Sequence, residues 1–136
     1  MEINIRPYSR GDAKQIFGLF QKYTKYKRDA SFWTWMNRIL SDSIVVVAEE
    51  EGNIIGHYAI LPRTCVLNNG LELKAGLGVH AFVAPDRRNE ISIFSISSLA
   101  YKLAKEKGID FVYGFPNQNY RLIQEKIEKW KRVSLF

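Results

Sequence analysis

Few side chains in this 136-residue sequence have reactive chemistry: two histidines, His57 and His80, and one cysteine, Cys65. A histidine titrates near ~6.5 in water, so either ring suits proton transfer at neutral pH. His80 is the candidate base. The competing reading is a histidine that packs or hydrogen-bonds locally. His57 reads as an ordinary exposed strand residue. Cys65 lies far along the chain from His80, and no local motif supports a Cys–His nucleophile pair. Lone buried cysteines are usually inert. Tyr113 and Tyr120 offer phenols as acids, or are simply half-buried aromatics.

A second kind of chemistry is anion binding. The stretch Gly78–Lys107 opens as a strand, passes through Pro85-Asp86-Arg87-Arg88-Asn89 and continues as a helix. Ile93, Ile96, Ala100, Leu103 and Ala104 recur at three- and four-residue steps, which marks the helix. A strand turning straight into a helix leaves backbone N–H groups free at the helix start. Those donors and the helix dipole suit an anion, above all a phosphate. Arg87 and Arg88 add charge in the same turn. The plainer reading is a strand-turn-helix unit with two solvated arginines.

The elements that must position these groups follow from the rest of the chain. Its length suits a single domain, residues 1–136, with a real core. One cysteine excludes a disulfide framework and a cysteine-rich zinc site, and favours a reducing, cytoplasmic setting. No apolar run approaches the ~20 residues of a membrane span, and no signal-peptide pattern opens the chain. The net charge of +6 is densest across Arg121, Lys126, Lys129, Lys131 and Arg132. It suits a polyanionic ligand but is too dilute for nucleic acid, and no nucleic-acid-binding signature accompanies it.

Ile3 and Ile5 read as a first strand. Ser9 and Asp12 form a capping-box-like start to a helix reaching about Lys27, with Ile16, Phe17, Phe20 and Tyr23 on one face. A second, shorter helix carries Phe32, Trp35, Met36 and Ile39 inward and Trp33 elsewhere. This aromatic segment is either core or one wall of an acceptor pocket. Ile44 to Ala48 is continuously apolar, a strand covered on both faces. Gly52-Asn53 turns it into Ile54–Leu61, and Asn69-Gly70 joins Arg63–Leu67 to Leu71–Val83. Gly108 caps the central helix. Asp110–Phe115 reads as a buried strand, Asn119–Lys129 as a last helix with Ile123, Ile127 and Trp130 on one side, and Val133–Phe136 as the start of a final strand. The order β-α-α-β-β-β-α-β-α-β predicts an α/β fold with a mixed sheet and helices on both faces.

That order, with four segments, resembles the GNAT superfamily of acyl-CoA-dependent N-acyltransferases over nearly the whole chain. The segments are Phe32-Trp33-Thr34-Trp35, Gly56-His57-Tyr58-Ala59-Ile60-Leu61-Pro62, Val83-Ala84-Pro85-Asp86-Arg87-Arg88 and Tyr113-Gly114-Phe115-Pro116-Asn117. The resemblance implies acetyl-CoA in a cleft where the fourth and fifth strands splay apart. Phe82 and Val83 would pair with the pantetheine arm, and the loop Arg88-Asn89-Glu90-Ile91-Ser92-Ile93 would cradle the pyrophosphate with its amides. Asn117 matches the family's asparagine. His80 falls where this branch often has a carboxylate facing the acceptor, with Tyr120 as an acid and Trp33 and Trp35 against the substrate.

Departures from the family pattern are specific. Its loop reads Gln/Arg-x-x-Gly-x-Gly/Ala, whereas Ile91 and Ile93 stand at the small positions here, and Glu90 brings negative charge. Two β-branched side chains there are expected to obstruct the phosphates. The family's general-acid tyrosine is Gln124, the glycine before the last helix's terminal aromatic is Lys129, and the spacing there is one residue long. The chain also stops one strand short of the pattern. It is a fragment, or a partner chain supplies the strand, as in a homodimer, or the fold is trimmed.

Two functions follow as expectations: N-acetyl transfer from acetyl-CoA to a primary amine in a ternary complex, or a degenerate, non-catalytic GNAT-like binding module. The acceptor is a small-molecule or protein amine. The aromatic-rich second helix resembles a branch linked to polysaccharide synthesis, so an amino sugar is one option, and a protein or polyamine amine is another. The positive charge disfavours a polyamine. No metal, membrane or nucleic-acid partner is expected.

Overall fold

A computed structural model describes residues 2–24, 43–116, 118–131 and 133. Five strands form one sheet in the order β1-β2-β3-β4-β5. β1 (Ile3–Pro7), β2 (Ile44–Glu50), β3 (Asn53–Val66) and β4 (Glu72–Val83) pair antiparallel in succession. β5 (Phe111–Tyr113) lies parallel to β4. The helices are α1 (Ala13–Tyr23), α2 (Ile93–Glu106) and α3 (Gln118–Lys126). The predicted mixed sheet is present.

The sequence dictates the centre of the sheet. Ile44, Val45, Val46, Val47 and Ala48 are all buried, as a strand covered on both faces requires. Glu51 and Gly52 both take positive φ, 49° and 80°, which matches the right-handed twist of the β2–β3 hairpin. At the second hairpin Gly70 sits at φ 82° and the Asn69 side chain accepts from the Leu71 amide. β3 runs unbroken through Pro62, which pairs with Gly76 of β4 after pairing with β2 has ended at Ile60. A proline is tolerated there because one edge needs no donor.

Successive residues of a strand point to opposite faces, and β3 shows which helix covers which. The ring of His57 meets Phe20 of α1. Next to it, Tyr58 meets Tyr101 of α2. Thus α1 and α2 lie on opposite faces. Ile16 and Leu19 anchor α1, and Ile93, Ile96, Ala100 and Ala104 anchor α2. Asp12 accepts from the Ser9 amide at 2.7 Å and takes both terminal nitrogens of Arg6, fixing the approach to α1. The helix ends at Tyr23, where the Thr24 hydroxyl donates back to the Phe20 carbonyl. The expected second helix, with Trp33 and Trp35, lies outside the described residues.

Three expectations change towards the C-terminus. β5 is only three residues long, and Phe115, expected in a buried strand, is 85% exposed. The helix α3 stops at Lys126 instead of Lys129, because the amides of Ile127 and Glu128 share the Ile123 carbonyl in a widened turn. That turn leaves Ile127 54% exposed instead of facing inward. Lys129 then takes φ 59°, the conformation a glycine would adopt freely, and the Trp130 amide closes on the Gln124 carbonyl. Of the expected last strand only Val133 is described, and no strand includes it.

Candidate functional site

The cleft begins where β4 and β5 part. They pair only from Ala75 with Phe111 to Leu77 with Tyr113. The next residues are Gly78 and Gly114. A Cβ on Gly114 would lie 3.2 Å from the Gly78 carbonyl oxygen and 3.4 Å from the Trp130 ring, and one on Gly78 would collide with the Tyr58 hydroxyl. From there β4 runs on to Val83, and among the described residues no strand pairs with that edge. An open edge of this kind can add an extended ligand as a further strand.

His80 sits midway along this open stretch at φ 55°. The register shows why. Ala59 faces Val79 and His57 faces Phe82, so β4 has one residue more than β3 between these pairs. His80 therefore forms a β-bulge, the usual device for re-aiming a side chain. A left-handed conformation costs a non-glycine residue roughly 1–2 kcal/mol, so neighbouring contacts must hold it. The ring of His80 meets Phe20, with centroids 5.5 Å apart, and lies 6.2 Å from the ring of His57.

His57 is not the exposed residue the sequence suggested, because it is wholly buried. Its Nδ1 lies 2.8 Å from the His80 carbonyl oxygen. A carbonyl only accepts, so Nδ1 carries the proton and Nε2 is the bare nitrogen. Burial lowers its pKa to about 4, outweighing the hydrogen bond to the His80 carbonyl, which raises it, while the charge of the His80 ring is a still smaller lowering cause. Cys65 lies opposite Leu73, seven positions along β4 from His80, which removes a Cys–His pair.

In the turn between β4 and α2, the two isoleucines point inward. Ile91 and Ile93 are 7% and 9% exposed and belong to the core, whereas Arg88, Asn89, Glu90 and Ser92 are exposed. The aliphatic bulk expected to obstruct the phosphates is turned away from solvent. The amides of Glu90 and Ile91 are already bonded to the Arg87 carbonyl. Ile93 and Phe94 open the helix, where amides precede any intrahelical acceptor. Ser92 caps the helix through the Ser95 amide. The negative charge of Glu90 is met by Arg87, which also pairs with Glu50. Arg87 is thus committed, and Arg88 is the arginine left facing outward. Its Nε donates to the Val83 carbonyl at 3.0 Å and its guanidinium lies over the Phe82 ring. Both residues expected to meet a pantetheine arm are therefore covered by Arg88.

Tyr120 is drawn into a different cluster. Its hydroxyl donates to Glu128 at 3.0 Å. Ser97 and Tyr101 donate to the same carboxylate at 2.7 Å each. Burial, then the charge of Glu128, pushes the Tyr120 phenol up, so it holds its proton. Gln124, in place of the family's tyrosine, is 3% exposed. Asn117 lies outside the described residues.

The structure brings His80, Phe82, Val83 and Arg88 together along one edge, with residues 89–93 following. Sequence reading missed the burial of His57, the reach of Arg88 back to Val83 and the hub at Glu128. Only the last left a trace, as a carboxylate inside a basic stretch.

A family model described as "Acetyltransferase (GNAT) domain" matches residues 4–125. No curated protein sequence matches the chain. Solved structures share its fold. The crystal structure of glucosamine-6-phosphate N-acetyltransferase from Arabidopsis thaliana is 19% identical, with a TM-score of 0.78 over 100% of this chain and 97% of that one. A predicted acetyltransferase with acetyl-CoA from Clostridium acetobutylicum is 16% identical, with a TM-score of 0.78 over 98% and 96% of the two chains. AAC(6')-Iy, in complex with the bisubstrate analog CoA-S-monomethyl-acetylneamine, is 16% identical, with a TM-score of 0.79 over 100% and 97%. At these identities the likeness is one of fold.

Proposed function

The chain belongs to the GNAT acetyltransferase family, and from that premise we propose that it moves an acetyl group from acetyl-CoA to a primary amine by direct transfer in a ternary complex. The observation that carries this reading is the unpaired β4 edge from Gly78 to Val83, leading into a helix start whose isoleucines are turned inward. In this reading the β4 edge at Phe82 and Val83 takes the pantetheine arm. The amides of Ile93 and Phe94, with Arg88 and the exposed residues Asn89 and Ser92, meet the diphosphate. Arg88 has to leave the Val83 carbonyl for this.

His80 takes the proton from the acceptor ammonium. The amine nitrogen then attacks the thioester carbonyl carbon, the C–S bond breaks, and the thiolate takes a proton. Tyr120 is the acid of this proposal, supported only by its place at the start of α3, since its hydroxyl is held by Glu128. Trp33 and Trp35 stay in the proposal as substrate-binding residues and Asn117 as a cofactor-binding one, on the sequence resemblance alone. The acceptor class we favour is an amino sugar. The whole described chain is read as one domain.

Calorimetry with coenzyme A at millimolar concentration tests the reading. Saturable heat is expected. Absence of heat together with absence of a thermal shift contradicts it. A second reading, a non-catalytic module of the same fold, is favoured by Arg88 seated on Val83 and by Gln124 in place of the tyrosine. Coenzyme A binding without thiol release from acetyl-CoA, across a panel of amino sugars and peptide amines, would select it.

A further inference from the structure

We propose that His57 is a positioning residue for the acyl-transfer site: its Nδ1–H holds the His80 carbonyl, and with it the left-handed bulge that sets the His80 ring and the open β4 edge. The inference rests on the acetyl-CoA reading above. Three observations meet at this point. β4 carries one residue more than β3 between the Ala59–Val79 and His57–Phe82 pairs, so the ladder is interrupted there. His80 occupies φ 55°, which it would not adopt in a regular strand. The His57 ring, wholly buried, lies 2.8 Å from the carbonyl of the bulged residue.

The bulge removes a main-chain partner from the sheet interior, and His57 supplies a side-chain one. The ring has little freedom to do anything else. Phe20 meets it edge-on at 5.4 Å and packs against His80 at 5.5 Å, so one phenyl ring of α1 braces both imidazoles. Nε2 has no hydrogen-bond partner among the described residues. A hydrophobic residue would fill the space as well. The Nδ1–H donor is what such a residue lacks, and it is aimed at the one carbonyl that the bulge displaces. Release of that carbonyl would let His80 relax towards a regular strand, moving its ring and the edge from Ala81 to Val83 together.

Two measurements test this. Long-range proton–nitrogen correlation on the wild-type protein reports the His57 tautomer: the Nδ1–H form is expected, and an Nε2–H form overturns the proposal whatever the variants do. Calorimetry with acetyl-CoA then compares wild type, His57→Phe and His57→Asn, since the asparagine amide places a donor where Nδ1 was. The expectation is about tenfold weaker binding for His57→Phe, equivalent to about 1.4 kcal/mol, and recovery to within about threefold of wild type for His57→Asn. Equal affinity of His57→Phe and wild type overturns the positioning role and leaves the acetyl-CoA reading intact. Absence of binding by wild type overturns that reading, and the proposal with it.

Discussion

Tyr101 donates its hydroxyl to Oε2 of Glu128 at 2.7 Å, and so ties helix α2 to the chain just past the end of α3. Ser97 and Tyr120 converge on the same carboxylate. Hydrogen bonds to an ionised acceptor are worth about 1.5–3 kcal/mol each, less when water competes, as it does at this partly exposed group. Glu128→Ala removes the acceptor shared by three hydroxyls, of which Ser97 keeps the Phe94 carbonyl, and is expected to lower stability by about 2–3 kcal/mol in urea denaturation. Hydrogen exchange in α3 should accelerate more than in α2. A loss below about 0.5 kcal/mol would show that the hub holds nothing together.

Tyr58 lies against Gly78, and burial raises its pKa from 10.0 to about 12. The unfolded chain loses this proton near pH 10 while the folded chain keeps it. Stability is therefore intact below pH 10 and falls as pH rises towards 12. Burial also raises Tyr101 and Tyr120, which extends the fall. Tyr58→Phe should flatten the decline between pH 10 and 12 in denaturant titrations. An unchanged slope would contradict the burial of that phenol.

His57 acts at the other end of the scale. Its pKa falls from 6.5 to about 4 on folding. Between these values the unfolded chain binds a proton that the folded one does not, so stability is present above pH 6.5 and lost as pH drops towards 4. The shift corresponds to about 3 kcal/mol at most. His57→Asn removes this part of the acid limb. Asp12, held down chiefly by its hydrogen bond from Arg6, adds stability that is present above its unfolded value of 3.8 and is lost only as pH falls below it. The two are therefore separable by pH.

Ile91 and Ile93 stand where the family's loop is small, so the sequence predicts that glycine at both opens the loop to a diphosphate. Their burial changes that prediction. Each change now removes a core side chain and adds backbone freedom, at about 3 kcal/mol apiece. The double variant is expected to unfold at much lower urea, with no gain in coenzyme A affinity. A tighter-binding, equally stable double variant would show that the side chains do face the ligand.

His80→Ala is expected to lower kcat by about 10²-fold or more, the range for loss of a general base, with coenzyme A affinity changed less than threefold. Steady-state kinetics on an identified amine acceptor reads both. Unchanged turnover removes His80 from the mechanism.

Much of the scaffold was legible because local rules fixed it. The unbroken run Ile44–Ala48 gave a doubly covered strand, and Asn69-Gly70 and Gly108 took the turns their residue types demand, the two glycines at φ 82° and 80°. What was not legible depends on pairing across the sheet. Whether His57 faces water or core is set by which face α1 covers. That β5 stops at Tyr113 is set by the parting of two strands, not by the apolar run Asp110–Phe115. The site divides in the same way. The turn from Pro85 to Asn89 is read from the strand-turn-helix pattern, His80 from its chemistry, and Phe82, Val83 and residues 88–93 from the family resemblance. The Arg88–Val83 contact and the Tyr120–Glu128 contact needed the chain folded, because side chains that reach five or eight residues along leave no periodic signature.

The most direct test of the account is a crystal structure of this protein grown with coenzyme A. The account predicts the pantetheine arm along β4 beside Phe82 and Val83, Arg88 swung away from the Val83 carbonyl, and the diphosphate over the start of α2 near Ser92 and Ile93. Coenzyme A bound elsewhere, or Arg88 still seated on Val83 with the β4 edge empty at saturating ligand, would contradict it.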